Sequence, residues 1–249
     1  MSLFFGFGSP EESRPQPVHR FASDEAEVEW PYGYPNGYKV KSIDYQIRRL
    51  YEAFPRCIVK FDQRIASRPL PDHAEGWFAI PEWQMLAKTY TKAVRRVFDM
   101  IHLTQDGKFY NLRDGDLIEY HFRQHKHSVA MMNRLRDQED DPGVFIIPAQ
   151  FGLFHKERSV HRVREKLGNS EFGLGAFAVA IMLFTHPERL VHRNDLGVVC
   201  PGDEYFYVLR GAPRFRIYNS IQNIDRVEFD TTLIDKATIG CGSATGFLL

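Results

Sequence analysis

The densest group of chemically capable side chains is Cys200-Pro-Gly-Asp-Glu-Tyr205, with His186, His192 and Asp195 shortly before it. Two carboxylates and a thiol at the end of an apolar run could share a cation or divide acid and base roles. A Pro-Gly-Asp turn also arises for conformational reasons alone, and Cys200 is a nucleophile only beside a base. A second candidate is basic. Arg158 and Arg162 stand four residues apart in a segment that reads as helix, so both guanidinium groups share a face and could grip an anion bidentately. Together these suggest an anion held by Arg158 and Arg162, with Asp203, Glu204 and His186 as acid–base or metal-binding groups.

Other constellations are geometrically poorer. His121 and His125 would share one face of a helix over 116–136, where one metal could bridge them. The intervening Phe122-Arg-Gln124 lacks the glutamate of an H-E-x-x-H site and no third ligand follows, so a metal centre is not expected. The segments His155-Lys-Glu-Arg-Ser-Val-His-Arg162 and His186-Pro-Glu-Arg-Leu-Val-His-Arg193 agree at six of eight positions. Six residues turn a helix through about 600°, so the two histidines of a copy diverge by about 120°. On a strand they stand about 20 Å apart. Neither copy chelates an ion by itself. The Gly240-Cys-Gly-Ser-Ala-Thr-Gly246 run permits close backbone approach and reads as a terminal loop against a sheet. There is no Gly-rich dinucleotide or P-loop motif.

Positioning these groups requires a scaffold, and its elements are partly readable. Residues 1–40 form an arm, flexible or strap-like. Pro, Ser, Glu and Asp dominate 9–29, and Trp30-Pro-Tyr-Gly-Tyr-Pro-Asn-Gly-Tyr38 could strap the domain or dock a partner. Ser42 caps a helix that ends before Pro55. Pro81 and Glu82 open a long helix with a stripe at Trp83, Ala87, Tyr90, Val94, Val97 and Ile101. A third helix is expected over Asp116–Arg136, stopped by the acidic cluster at 139–143. Val144–Ile147 reads as a buried strand and 155–167 as a helix. Phe172–Phe184, apolar on every side, reads as a buried central helix. Four short runs near 196–199, 205–209, 214–218 and 226–230 read as strands in antiparallel order. The expected fold is therefore α+β: a helix-rich N-terminal two-thirds with a central buried helix, then a small, mainly antiparallel sheet. Residues 41–249 would form a single domain.

Bulk properties exclude several functions. The chain has 249 residues with 32 basic against 32 acidic side chains, so no general nucleic-acid binding or membrane-surface attraction is expected. Three separated cysteines, Cys57, Cys200 and Cys241, make neither a disulfide scaffold nor a cysteine zinc site. The longest apolar run has 13 residues, short of the about 20 that span a bilayer. The first residues lack the basic start of a secretory signal. A soluble, cytoplasmic protein is expected.

At Gly76-Trp-Phe-Ala-Ile-Pro81, Asn169-Ser-Glu-Phe-Gly-Leu-Gly175, His186-Pro-Glu-Arg189 and Cys200-Pro-Gly-Asp-Glu-Tyr205, the chain resembles a group of uncharacterised bacterial proteins. The likeness runs from about residue 40 to the end. It implies a bacterial or phage setting and carries no activity, cofactor or site residue with it. The leading functional expectation is a protein that acts through protein–protein contacts, with the aromatic arm Trp30–Tyr38 as docking surface. The alternative is an enzyme acting on a phosphorylated or other anionic substrate through the residues named above.

Overall fold

In the computed structural model, residues 34, 36–55, 63–138, 143–206, 210–219 and 225–249 are described. Trp30 and Tyr32 of the arm, Cys57, residues 139–142 of the acidic cluster and residues 207–209 lie outside them.

Helix α1 (Ile43–Ala53) starts where Ser42 caps it, its Oγ accepting from the Tyr45 N–H, and stops before Pro55. Strand β1 (Gly76–Pro81) is buried at every residue. The expected single helix from Pro81 divides into a short α2 (Trp83–Leu86) and a long α3 (Tyr90–Thr104). Ala87 and Thr89 are extended, and Thr89 stands as N-cap of the second helix. After β2 (Phe109–Asn111), the expected helix over 116–136 gives way to the end of a 3₁₀ turn (Asp114–Asp116), β3 (Phe122–Gln124) and α4 (Lys126–Gln138). His121 and His125 therefore share no helix. Strand β4 (Val144–Gln150) lies between β1 and the C-terminal segment. The expected helix over 155–167 shortens to α5 (Val160–Lys166), capped by Ser159, whose Oγ accepts from the Arg162 N–H. Arg158 lies before the cap.

The apolar centre also begins later than its composition suggests. Phe172 and Gly173 belong to β5 (Glu171–Gly173), and only Ala176 onward coils into α6 (Ala176–Thr185), which is buried on all sides. Gly175 explains the break. A side chain there would place its Cβ 2.5 Å from both Asp203 Oδ1 and the Tyr90 hydroxyl. After α6 come β6 (Gly197–Val199), β7 (Asp203–Phe206), β8 (Arg210–Asn219), β9 (Asp225–Leu233), β10 (Cys241–Ser243) and β11 (Thr245–Phe247).

These strands overturn the expected architecture. There is no single small sheet at the end of a helical chain. Among the described residues two sheets form, one of four strands in the order β1-β4-β11-β5 and one of seven built on β10-β6-β8-β7-β3 with β9 and β2. Five of the strands lie before α6, and two pairings, β10 with β6 and β2 with β9, are parallel. The glycine-rich C-terminus is the staple between the sheets. Cys241–Ser243 joins the seven-stranded sheet, and two residues on Thr245–Phe247 joins the four-stranded one. Gly242 makes this crossing feasible, because its Cα side faces the Gly152 carbonyl with no room for a Cβ.

The core lies between the sheets. Helix α6 packs on α3, β1 and α1. On its other side α3 sends Phe98 among Phe109, Phe215 and Phe229, with centroids 5.0, 5.7 and 4.6 Å away. No helix among the described residues is long and apolar enough to cross a membrane.

Candidate functional site

The His-Pro-Glu-Arg motif at 186–189 is the receptor for the arm. Tyr34 and Tyr38 are buried against it, and their rings meet edge to face at 5.4 Å. The fully buried Arg189 guanidinium lies 3.7 Å from the Tyr34 ring centroid and donates to the Leu196 carbonyl at 2.9 Å. The Tyr34 hydroxyl donates to Glu75 at 2.7 Å, and burial raises the Glu75 carboxyl above its ordinary range. The Asn36 amide donates to the Glu188 carbonyl (3.1 Å), and Lys41 pairs with the Glu188 carboxylate (2.9 Å). His186 Nε2 accepts from the Lys41 N–H at 3.0 Å, which leaves Nδ1–H to donate to the Met182 carbonyl at 3.0 Å. Burial pushes the His186 pKa down to about 4, so the ring is neutral near pH 7 with both nitrogens engaged inside the fold.

Asp203 is equally buried. Its carboxylate accepts from the Tyr90 hydroxyl at 2.8 and 3.0 Å and from the Ala176 N–H, the first of α6, at 2.6 Å. Those donors and the helix N-terminus favour the ionised form. Burial opposes them and prevails, raising the pKa to about 7. Glu204, the next residue on β7, faces the other way and pairs with Arg123 across the β3–β7 register at 2.9 Å. The two acids therefore do not share a cation. Cys200 and Cys241 are buried free thiols whose pKa values burial raises.

Arg158 and Arg162 do not form a helical pair, since only Arg162 lies in α5. The Arg158 guanidinium packs over Phe154 and donates to His155 Nδ1 at 3.1 Å. His155 is buried, its Nε2–H reaches Glu171 at 2.9 Å, and Glu171 also accepts from Thr245 at 2.6 Å. This chain ties the segment before α5 to β5 and β11. Arg158, His186 and Asp203 thus engage three separate sets of residues.

Glu204, together with His125 and His161 of the weaker constellations, does open onto a cleft. Glu204 lines a hollow of about 450 Å³ with Arg123, His125, His161, Arg164, Glu165, Phe206 and Arg210. Strand β3 brings Arg123, the start of α4 brings His125, α5 brings three residues from one face, and the β7–β8 hairpin brings the rest. Val160 and Val163 turn inward, so His161, Arg164 and Glu165 are the side of α5 that meets β7. Arg164 braces the wall, donating to the Pro201 and Asp203 carbonyls at 2.9 and 2.7 Å. The Arg123 guanidinium lies 4.7 Å from the Phe206 ring centroid. Burial, and then the Arg164 charge, depress the His125 pKa to about 4. Such a wall can receive an anion, which would relieve the repulsion His125 feels on protonation.

Among the described residues, no three His, Cys, Asp or Glu side chains are grouped so as to hold a metal ion. Comparison with protein-family models, curated proteins and solved structures finds no match for this chain. The cleft residues are therefore read on geometry alone. Arg123, His125, His161, Arg164 and Arg210 escape a reading by local spacing, because β3, α5 and the β8 hairpin meet only through tertiary pairing. One sequence signal was available for α5. Ser159 as N-cap with Val160 and Val163 inward selects the 161/164/165 face over 158/162.

Proposed function

We propose that the protein binds a phosphorylated or otherwise anionic small molecule in the cleft between β3, α5 and the β7–β8 hairpin, and acts on it as a cytoplasmic enzyme. The observation that carries this reading is the convergence of three arginines and two histidines on one hollow against two glutamates. Arg123 and Arg210 are exposed and supply the outer grip, while Arg164 supplies a braced charge. His125 and His161 are the proton-transfer groups next to the bound anion, and Glu204 orients Arg123. This replaces Arg158 and Arg162 as the anion grip. The docking alternative has less support, because the core has taken up Tyr34 and Tyr38.

Calorimetry with inorganic phosphate and a panel of phosphomonoesters tests the reading. Wild type should bind at least one with a dissociation constant below about 1 mM, and Arg123→Ala/Arg210→Ala should lose about tenfold or more. Both substitutions are on exposed side chains, so circular dichroism should be unchanged. No heat from any anion up to about 10 mM overturns the proposal.

A further inference from the structure

A second hollow shares no lining residue with the basic cleft, and Tyr90, whose hydroxyl bonds the inward Asp203, stands in its wall. It is bounded by α2, the start of α3, α4, β5 and the first turn of α6. Its volume is about 130 Å³, close to that of an engineered lysozyme cavity of about 150 Å³ that takes up benzene. Trp83, Tyr90, Phe145, Phe172 and Phe177 bring five aromatic rings to its lining, together with Leu174. The hollow opens to solvent past Gln84 and Asn133, and a concave, largely apolar space with a few polar groups at its edge is the usual form of a small-molecule site.

Water finds few partners among the rings, because Tyr90 and Ser128 bond within the protein, although Gln84, Gln124 and Asn133 also line the hollow. The Tyr90 hydroxyl donates to Asp203 and accepts from the Phe177 N–H at 3.3 Å. Ser128 donates to the Gly173 carbonyl at 2.8 Å. At the rim Arg136 grips Glu82 through two bonds of 2.9 and 3.0 Å and Asn133 through one of 3.2 Å. A buried water needs two to four polar partners, and a charged ligand would need an unspent counter-charge. We infer that this pocket binds a neutral, single-ring aromatic molecule, or the phenyl end of a larger one whose polar end leaves past Glu82 and Arg136.

The probes are benzene, toluene and phenol, with benzoate as the charged control. Methyl-labelled protein should show saturable shifts at Met132, Leu174 and Ile80 with toluene and none with benzoate, and toluene should raise Tm through linkage. Ala178→Leu and Met132→Phe each add volume to the lining and should abolish the shifts with an unchanged near-ultraviolet spectrum. Absence of saturable shifts in wild type with all three neutral probes overturns the inference, without needing either variant to fold. Shifts that persist in both filled variants, or that are equally strong with benzoate, overturn it too. Neither result bears on the anion cleft, whose test uses different probes and residues.

Discussion

Asp203 should contribute stability that is lost as pH rises from about 4 toward 7. Its carboxyl titrates near 3.8 in an unfolded chain and about 7 in the folded one. Between those values the native state holds a proton that the unfolded state has released, so stability falls with increasing pH. The favourable contribution is complete below the unfolded value and gone above the folded one. At about 1.4 kcal/mol per pH unit, the full span is on the order of 4 kcal/mol. Wild type alone will not display it cleanly. His186 and His125 titrate at about 4 in the fold against 6.5 unfolded. Their folded values are depressed, so they add stability as pH rises over that same interval and offset Asp203. The difference between wild type and Asp203→Asn isolates the carboxyl. Urea denaturation followed by circular dichroism at pH values from about 4 to 8.5 should show wild type gaining on the variant at low pH and losing on it at high pH. The carboxyl carbon resonance of Asp203 should move with a midpoint near 7 in the wild type. A stability difference that stays flat across the range, or a midpoint near that of an exposed aspartate, refutes the argument that burial outweighs the Tyr90 and Ala176 hydrogen bonds.

Tyr34→Phe removes one of the two hydrogen bonds to Glu75 Oε1 and should cost about 1–3 kcal/mol by urea midpoint. Arg189→Met leaves the buried Glu75 without its facing cation and should cost about 3–5 kcal/mol, while Arg189→Met/Glu75→Gln should cost less than the two single changes summed. Gly242→Ala drives a methyl group into the Gly152 carbonyl and should cost at least about 3 kcal/mol or prevent soluble expression. Gly240→Ala, at φ +71° with open space around it, should cost only about 1 kcal/mol in the same assay.

What could be read from local sequence was what local chemistry decides. Ser42 and Pro55 bound α1 because a cap and a missing N–H act within one turn. Alternation of Arg214-Phe-Arg-Ile-Tyr218 and Arg226-Val-Glu-Phe-Asp230 follows a sheet with one covered face, and β8 and β9 pair through these residues. Where the outcome depends on a distant partner, the local pattern misleads. Tyr120-His-Phe-Arg-Gln124 has an adequate helical spacing, yet Phe122–Gln124 pairs with Asp203–Tyr205 some eighty residues on. Phe172-Gly173 scans as the start of a helix, yet β11 takes it as a strand. The one-sheet layout failed partly for this reason: β3 and β5 carry no strong local strand pattern and are recruited by β7 and β11, whereas Trp77–Ile80 of β1 is a short apolar run between Gly76 and Pro81 whose pattern fits a buried strand.

The candidate site inherits the same dependence. Asp203 and Glu204 stand side by side in the sequence, and as a pair they suggest shared chemistry. A strand sends neighbours to opposite faces, so their separation is decided by β7 being a strand at all. That in turn rests on the pairings with β3 and β8. The consequence is that one backbone segment serves two unlike environments. On one side a buried carboxyl answers to proton concentration and hardly to salt, since screening does not reach it. On the other, Glu204 and the arginines around it stand in partial contact with solvent and answer to ionic strength. Arg164 touches both, because it lines the cleft and holds the Asp203 carbonyl. Arg164 favours the ionised form of Asp203 and Glu204 opposes it, so two side chains of the cleft already bear on the inner carboxyl from the other face of the strand.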